Sequence, residues 1–340
     1  MLRRTYGWNL TLLLFAVALS IAIGAVFIPP GALWRLMAAR LGLAPVPADL
    51  PRYYPTILFD LRLPHTVLVL LVGSALGSSG AAYQGLFRNP LADPYLLGVA
   101  SGAGLGAVVA LGLHWPQSLW GAYLIPIGAF VGALGTVLLV TFLGRVNGDL
   151  STTALILAGV AVGSFATALT SFLMLRSDGE IRRALTFLLG GAPLAGWDPV
   201  LALLPYWVLG QAGLLTAGHS LNVLQFGEEQ ALQLGLPVTR AKVLVLLSAS
   251  LVTAAAVAFA GIIGFVGLIV PHIVRLLWGE DYRHLIPLSL LGGATSLLVM
   301  DIVARVLLAP QALPIGIVTA LVGTPFFLWV LRRTRRQWLW

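Results

Sequence analysis

The chain has 340 residues, of which 59% are hydrophobic and 9% are charged. Soluble globular domains carry roughly 25% charged residues, so this composition cannot form a water-soluble surface. The formal net charge is +8 and there is no cysteine, which excludes disulfides, thiolate metal sites and cysteine nucleophiles. The composition predicts an all-α integral membrane protein whose cations mark the ends of its spans, rather than a nucleic-acid-binding protein.

Ten apolar windows follow one another along the chain, each close to the roughly 20 residues that a helix needs to cross a bilayer. They predict spans at about 10–28, 64–86, 95–113, 120–143, 152–174, 199–217, 241–260, 262–278, 285–308 and 313–331. Arg3 and Arg4 precede the first window, where a cleaved secretory signal is the alternative to a retained helix. The long apolar stretch, followed by Pro29-Pro30, favours the retained helix.

Cation placement gives an expected orientation. With the N-terminus inside, 12 of the 20 Lys and Arg residues fall on the inner side and 8 on the outer side. An inner excess is typical of cytoplasmic loops, and the cluster at Arg332–Arg336 carries much of it. We therefore expect a multi-pass membrane protein, surrounded by lipid, with both termini in the cytoplasm.

Glycines repeat within the second and third spans in a pattern that predicts close helix packing. Small residues four apart let helix backbones approach each other. The residues are Gly73 and Gly77, then Gly98, Gly102 and Gly106. The two halves of the chain also share a weak pattern of glycine and proline, which is consistent with a weak inverted repeat. The pattern relates Gly80, Gly85 and Pro90 to Gly261, Gly267 and Pro271.

Residues 221–237 form an amphipathic stretch on the side assigned to the cytoplasm. Gly227 and Gly235 bracket a short predicted helix, with Glu228 and Glu229 in its first turn, where the helix dipole favours carboxylates. An ordinary interfacial helix and a surface that docks another protein both fit this pattern.

Asp301 is the only carboxylate inside a predicted span, and Arg305 follows it by one helical turn. The spacing predicts an intramembrane ion pair, which has either a functional or a purely structural role. A single carboxylate argues against an ion-coupled carrier, because such carriers usually need several ionisable groups near mid-membrane.

The sequence offers no catalytic or metal site of its own. The lone lysine, Lys242, follows Ala241, so the Gly-Lys-Ser/Thr of a P-loop is missing. The histidines are scattered, without the i,i+4 pairing of a zinc site; they are His65, His114, His219, His272 and His284. If ATP drives a process here, another polypeptide must bind it.

Several motifs closely resemble the permease family of ATP-binding-cassette (ABC) importers for ferric siderophores, haem and vitamin B12. They occur in consistent order between about residues 10 and 333. They are R-L-P (62–64), R-N-P-L-A-D-P (88–94), L-L-G-V (96–99), G-E-E (227–229), L-G-L-P (234–237), G-F-V-G-L-I-V-P-H-I-V-R (264–275), D-I-V-A-R (301–305) and L-P-I-G-I-V-T (313–319).

The resemblance implies a type II importer permease of the bacterial or archaeal plasma membrane, with ten helices per subunit, paired as a homodimer around a translocation path. It also implies two copies of a separate ATP-binding subunit, which holds ATP and Mg, and an external substrate-binding protein. The expected cargo is a ferric siderophore, with cobalamin or haem as alternatives. A secondary carrier coupled to an ion gradient and a structural or assembly subunit are the more distant readings.

The resemblance also assigns roles to particular residues. Arg62 and Arg305 match arginines that dock the binding protein, and His65 stands where the family commonly has a second basic residue, which would make docking pH-dependent. The cytoplasmic gate matches Leu150, Ser151 and Thr152. Coupling to the ATPase falls on Gly227, Glu228, Glu229, Leu234, Gly235, Leu236 and Pro237.

Overall fold

The computed structural model describes residues 2–24, 26–45, 49–113, 119–146, 149–176, 180–191, 196–309 and 311–335. Within them the chain is a bundle of helices with one short hairpin. The helices are α1 (Leu2–Ala22), α2 (Pro30–Arg40), α3 (Tyr54–Thr56), α4 (Leu63–Leu86), α5 (Val99–Gly112), α6 (Leu119–Leu143), α7 (Thr152–Leu175), α8 (Ile181–Leu188), α9 (Asp198–Thr216), α10 (Gly218–Leu224), α11 (Glu228–Gln233), α12 (Val238–Ala260), α13 (Val266–Trp278), α14 (Tyr282–Val306) and α15 (Ile315–Arg335). The hairpin pairs β1 (Arg145–Val146) with β2 (Asp149–Leu150) in antiparallel register.

Each of the ten predicted spans overlaps a helix. In the described part of the chain, seven helices are long and apolar enough to cross a membrane: α1, α6, α7, α9, α12, α14 and the continuous helix Tyr54–Leu86. The helices α5, α13 and α15 are also apolar, but their apolar stretches are only 10–17 residues long. The all-α membrane fold is confirmed, and crossing by the three shorter helices stays a prediction.

Two helices begin ahead of the predicted span starts. The first helix occupies Leu2–Ala22 rather than 10–28, so it includes the two arginines expected ahead of it. The second begins at Tyr54, because residues 57–62 form a π-helical turn that continues into α4. Leu63 N donates to Leu58 O across this turn, so Pro64, which lacks an N–H, lies inside a continuous helix rather than at its start.

Two further starts lie four residues later than predicted, since each helix follows a non-α segment. A 3-10 turn at Pro94–Leu97 precedes α5, and Gly98 joins them in the left-handed region at φ 77°. Residues 261–265 are not helical, with Gly261 at φ 78° and Phe265 at φ 69°. Phe265, whose left-handed backbone is strained for a bulky residue, is the N-cap of α13.

Glycine contacts at the centre of the bundle confirm the predicted close packing. α4 is buried along nearly its whole length, between α12, α13 and α14. A Cβ added at Gly73 would lie 2.4 Å from Gly293 O, and one at Gly80 would lie 1.9 Å from Gly267 O. A Cβ added at Gly102 of α5 would likewise lie 2.5 Å from Gly132 O of α6. Small residues therefore fix which helices touch. The inverted repeat stays a prediction.

The outside of the bundle is apolar. Large side chains on α6 and α7 are exposed, among them Phe142 at 71%, Phe165 at 70% and Leu175 at 87%. In water such a surface would be unstable, whereas in a bilayer it meets lipid or another apolar protein surface. The fold thus leaves its polar side chains to the two ends of the helices and to a few buried networks.

Candidate functional site: two polar clusters at opposite ends of the bundle

Four residues form what we call the arginine cluster: Arg62, His65, Asp301 and Arg305. They meet because α4 begins and α14 ends at the same end of the bundle. Arg62 is only 8% exposed. Its guanidinium donates to the carbonyls of Ile21 (2.8 Å) and Ala22 (3.0 Å), at the C-terminus of α1, and to Val26 O.

Arg305 reaches the same end of α1. It donates to Ile23 O at 3.0 Å, to Ser20 O and to Ser20 Oγ, which also contacts Thr66 Oγ1 at 3.0 Å. The last carbonyls of a helix lack intrahelical donors, and cations near them are favoured by the helix dipole. The two arginines therefore cap α1 and fasten it to α4 and α14.

Asp301 is held from both sides. Its Oδ2 lies 2.8 Å from Arg305 Nε, which is the ion pair that the i,i+4 spacing predicts. Its Oδ1 lies 2.9 Å from His65 Nε2, a contact that sequence reasoning did not foresee. The Asp301 side chain is 2% exposed and that of His65 is 35% exposed, so the histidine faces an opening.

That opening is a cavity of about 380 Å³. His65, Asp301 and Arg305 are on its polar side, and its walls are largely apolar, including Val72, Phe259 and Leu297. The cavity also touches the residues around α8 and the start of α15. There Gly316 N donates to Leu189 O and Ile262 N donates to Phe187 O, which joins three chain segments.

These contacts bear on the predicted docking residues. The structure brings Arg62, His65 and Arg305 together, as docking requires, but it turns both guanidinium groups inward onto α1. An exposed charge would steer a partner by long-range attraction, whereas a buried one is shielded from it. Docking stays a prediction, and α1 capping is a second use of the same arginines that the sequence does not reveal.

The predicted gate residues lie at the other end of the bundle. Leu150 ends the hairpin and is 3% exposed. Ser151 is the N-cap of α7, where its Oγ accepts from Ala154 N at 3.4 Å, and Ser151 N donates to Gly144 O at 3.2 Å. A hydroxyl before the first helical turn is a favoured cap. The segment 150–152 is therefore an ordered junction between α6 and α7.

The predicted coupling residues form a short exposed helix between two glycine joints. Gly227 (φ 105°) and Gly235 (φ 82°) flank α11, as the sequence predicts, and both conformations favour glycine. Leu234 is 66% exposed and Leu232 is 59% exposed, so an apolar edge faces outward. A cavity of about 340 Å³ lies beside it, lined by Arg88, Phe226, Gly227, Glu228, Glu229 and Gln230.

The preceding helix, α10, is fixed to the bundle. Asn222 Nδ2 donates to Asp281 Oδ1 at 2.6 Å, and Tyr282 N donates to Asn222 Oδ1 at 2.8 Å. Asp281 is also the N-cap of α14 and pairs with Arg283. Hydrogen bonds from Arg283, followed by those from Asn222, hold the pKa of Asp281 well below its usual range, against the effect of burial. α10 thus gives α11 a rigid base.

What we call the lysine cluster joins α11 to the gate. Lys242, near the start of α12, places Nζ 2.5 Å from Glu228 Oε2 and 2.8 Å from Leu150 O. Beside it, Thr239 Oγ1 donates to Asp149 Oδ1 at 3.1 Å. The sequence shows only that Lys242 lacks the neighbouring residues of a P-loop, and it does not predict these contacts. The one feature that could have drawn attention to Lys242 is that it is the sole lysine of the chain.

Among the described residues, no group of three or more His, Cys, Asp or Glu side chains lies close enough to hold a metal ion. His114 falls outside the described residues. The arrangement at both ends instead consists of charged groups that tie helices together, beside cavities and an exposed helix.

Comparisons with known proteins agree with this architecture. The chain is 43% identical over 334 residues to an uncharacterised ABC transporter permease protein, YvrB, of Bacillus subtilis, covering 97% of this chain and 94% of the relative. It is 47% identical over 289 residues to the cobalamin import system permease protein BtuC of Halobacterium salinarum, covering 85% and 77%. It is 41% identical over 289 residues to the hemin transport system permease protein HmuU of Yersinia pestis, covering 83% and 84%.

A solved structure matches over nearly the full length. It is an inward-facing conformation of an ABC transporter assigned to the metal-chelate type, with a TM-score of 0.81 and 30% identity, covering 98% of this chain and 99% of that one. The model of the FecCD transport family matches residues 12–333. The chain belongs to the FecCD transport family, as a multi-pass permease subunit of the type II ABC importer class.

Proposed function

We propose that this chain forms the membrane path of an ATP-driven importer for a metal chelate, with ATP and Mg bound on a separate subunit. The family match over residues 12–333 carries the proposal. The geometry supports it, because an exposed helix between glycine joints lies next to the predicted gate. The chain itself is then a conduit and not an enzyme.

The partners follow from the two ends of the bundle. α11, with its exposed Leu232 and Leu234, docks the ATP-binding subunit through Gly227–Glu229 and Leu234–Pro237. The opposite end, with Arg62, His65 and Arg305, receives the external binding protein. Two copies of the chain enclose the path and two copies of the ATPase drive it. Both termini lie in the cytoplasm, as the cation distribution indicates.

The cargo belongs to one chemical class, large metal chelates. We expected a ferric siderophore from the sequence resemblance. The relatives named for cobalamin and hemin, at 47% and 41% identity, favour a tetrapyrrole-like chelate instead, with cobalamin first.

Reconstitution tests the proposal. The chain is placed in proteoliposomes with its ATPase and its binding protein, and uptake of cyanocobalamin, haemin and a ferric siderophore is measured with and without ATP. We expect ATP-dependent uptake of one chelate that requires all three components. Uptake by this chain alone, driven by an ion gradient, would establish the secondary carrier and refute the importer.

A further inference from the structure

Lys242 is the only lysine in the chain, and its side chain is only 6% exposed although it lies near the end of the bundle. A buried ammonium loses its hydration and is stable only where protein groups replace the water. The structure supplies two such groups, the Glu228 carboxylate at 2.5 Å and the Leu150 carbonyl at 2.8 Å. Lysine is well suited here, because an ammonium offers three donors from one point.

The two partners belong to elements with different predicted roles. Glu228 is the first residue of α11, the exposed helix between glycine joints. Leu150 directly precedes Ser151, the N-cap of α7. Lys242 is 14 positions from Glu228 and 92 positions from Leu150. The ammonium therefore connects α11 to the gate through a single atom.

The surroundings determine which of these parts can move. α10 is fixed to α14 through Asn222, whereas α11 is joined to its neighbours at Gly227 and Gly235. The hairpin that carries Leu150 is held to α12 by the buried contact with Lys242 and by the exposed contact between Thr239 and Asp149. A displacement of α11 thus changes the position of Glu228 first, and the ammonium then follows it or exchanges partners.

We propose that Lys242 is the positioning residue that transmits a displacement of α11 to the gate at 150–152. This inference rests on the proposed function, since it takes α11 as the element that the ATPase moves. When α11 shifts, the Lys242 Nζ contact with Leu150 O lengthens, and the hairpin and the first turn of α7 are released together. Neither docking of the ATPase nor its hydrolysis of ATP needs this contact.

The test uses the complete transporter in proteoliposomes, with uptake and ATP hydrolysis measured on the same sample. Lys242→Met keeps the length of the side chain and removes the ammonium. The Glu228 carboxylate that it leaves behind is 43% exposed and stays hydrated, and Lys242→Arg serves as the conservative rescue because it retains a cation. Arg240→Met is the matched control, because it deletes an exposed cation from the same helical turn.

We expect Lys242→Met to assemble with the ATPase and hydrolyse ATP at the wild-type rate, with uptake per ATP reduced by about ten-fold or more. Lys242→Arg should recover most of the coupling, since its cation can still reach both partners. The control should keep wild-type coupling. Uptake per ATP within about two-fold of wild type in Lys242→Met would overturn the inference.

A second readout separates transmission from a merely structural role. The chain has no cysteine, so Thr153→Cys, exposed beside the gate, gives a single labelling site. Its rate of modification by a maleimide should change when ATP is added to the otherwise wild-type complex and should not respond when Lys242 is Met. An unaltered response in the Met variant contradicts the inference alone. Absence of ATP-dependent uptake in the wild-type complex instead refutes the proposed function.

Discussion

Arg62 offers a direct choice between docking and helix capping, because the two roles predict different consequences of its loss. In Arg62→Met the carbonyls of Ile21 and Ala22 lose charged donors that lie at 2.8 and 3.0 Å. Hydrogen bonds to charged groups contribute roughly 1.5–3 kcal/mol each, and the desolvation of a guanidinium that is 8% exposed offsets part of this. We expect a loss of about 2–3 kcal/mol in the free energy of unfolding.

The assay is unfolding in mixed micelles of rising SDS fraction, followed by tryptophan fluorescence and far-ultraviolet circular dichroism. Arg52→Met is the matched control, since it removes an exposed cation from the turn just before the same helix and should change stability by less than about 0.5 kcal/mol. Arg62→Lys should restore the charge without the planar fork that reaches several carbonyls, so it should recover only part of the stability.

Affinity for the external binding protein is measured on the same variants at low and high salt. If Arg62 served docking alone, Arg62→Met would unfold like the wild type and would bind the partner more weakly, and Arg62→Lys would restore binding. That pair of results would refute the capping argument. A loss of stability accompanied by unchanged affinity would leave docking to the other residues of the cluster.

Four more outcomes follow from the contacts. Asp301→Ala should cost about 3 kcal/mol, because it leaves Arg305 partly unpaired in a buried site, and the same micelle titration measures it. Gly80→Ala should destabilise the fold by more than about 3 kcal/mol, since its Cβ would lie 1.9 Å from a backbone oxygen, whereas Gly112→Ala, with nothing within 4 Å, should not. Gly235→Val, at φ 82°, should uncouple ATP hydrolysis from uptake while the bundle stays folded. The lowered pKa of Asp281 means that its stabilisation is complete above about pH 4 and is lost as pH falls further, so Asp281→Asn should flatten the acid side of the stability curve.

Local sequence patterns were sufficient for the features that depend on neighbouring residues. Apolar windows located ten helices, glycines four apart identified the helix faces that touch, and the spacing of Asp301 and Arg305 identified an ion pair. Gly227 and Gly235 marked the ends of α11. The predicted helix boundaries are wrong where a π turn, a 3-10 turn or a non-helical segment precedes the helix. Apolar composition does not distinguish these conformations from an α-helix.

The sequence by itself therefore determined a polytopic all-α membrane protein and its family, because length, hydropathy and motif order are properties of the chain. Only the tertiary structure decided what its few charged side chains do. His65 meets Asp301 across 236 residues, Arg62 caps α1 across 40, and Lys242 reaches Leu150 across 92. No local period specifies such contacts, since they depend on which helix ends the packed bundle brings together.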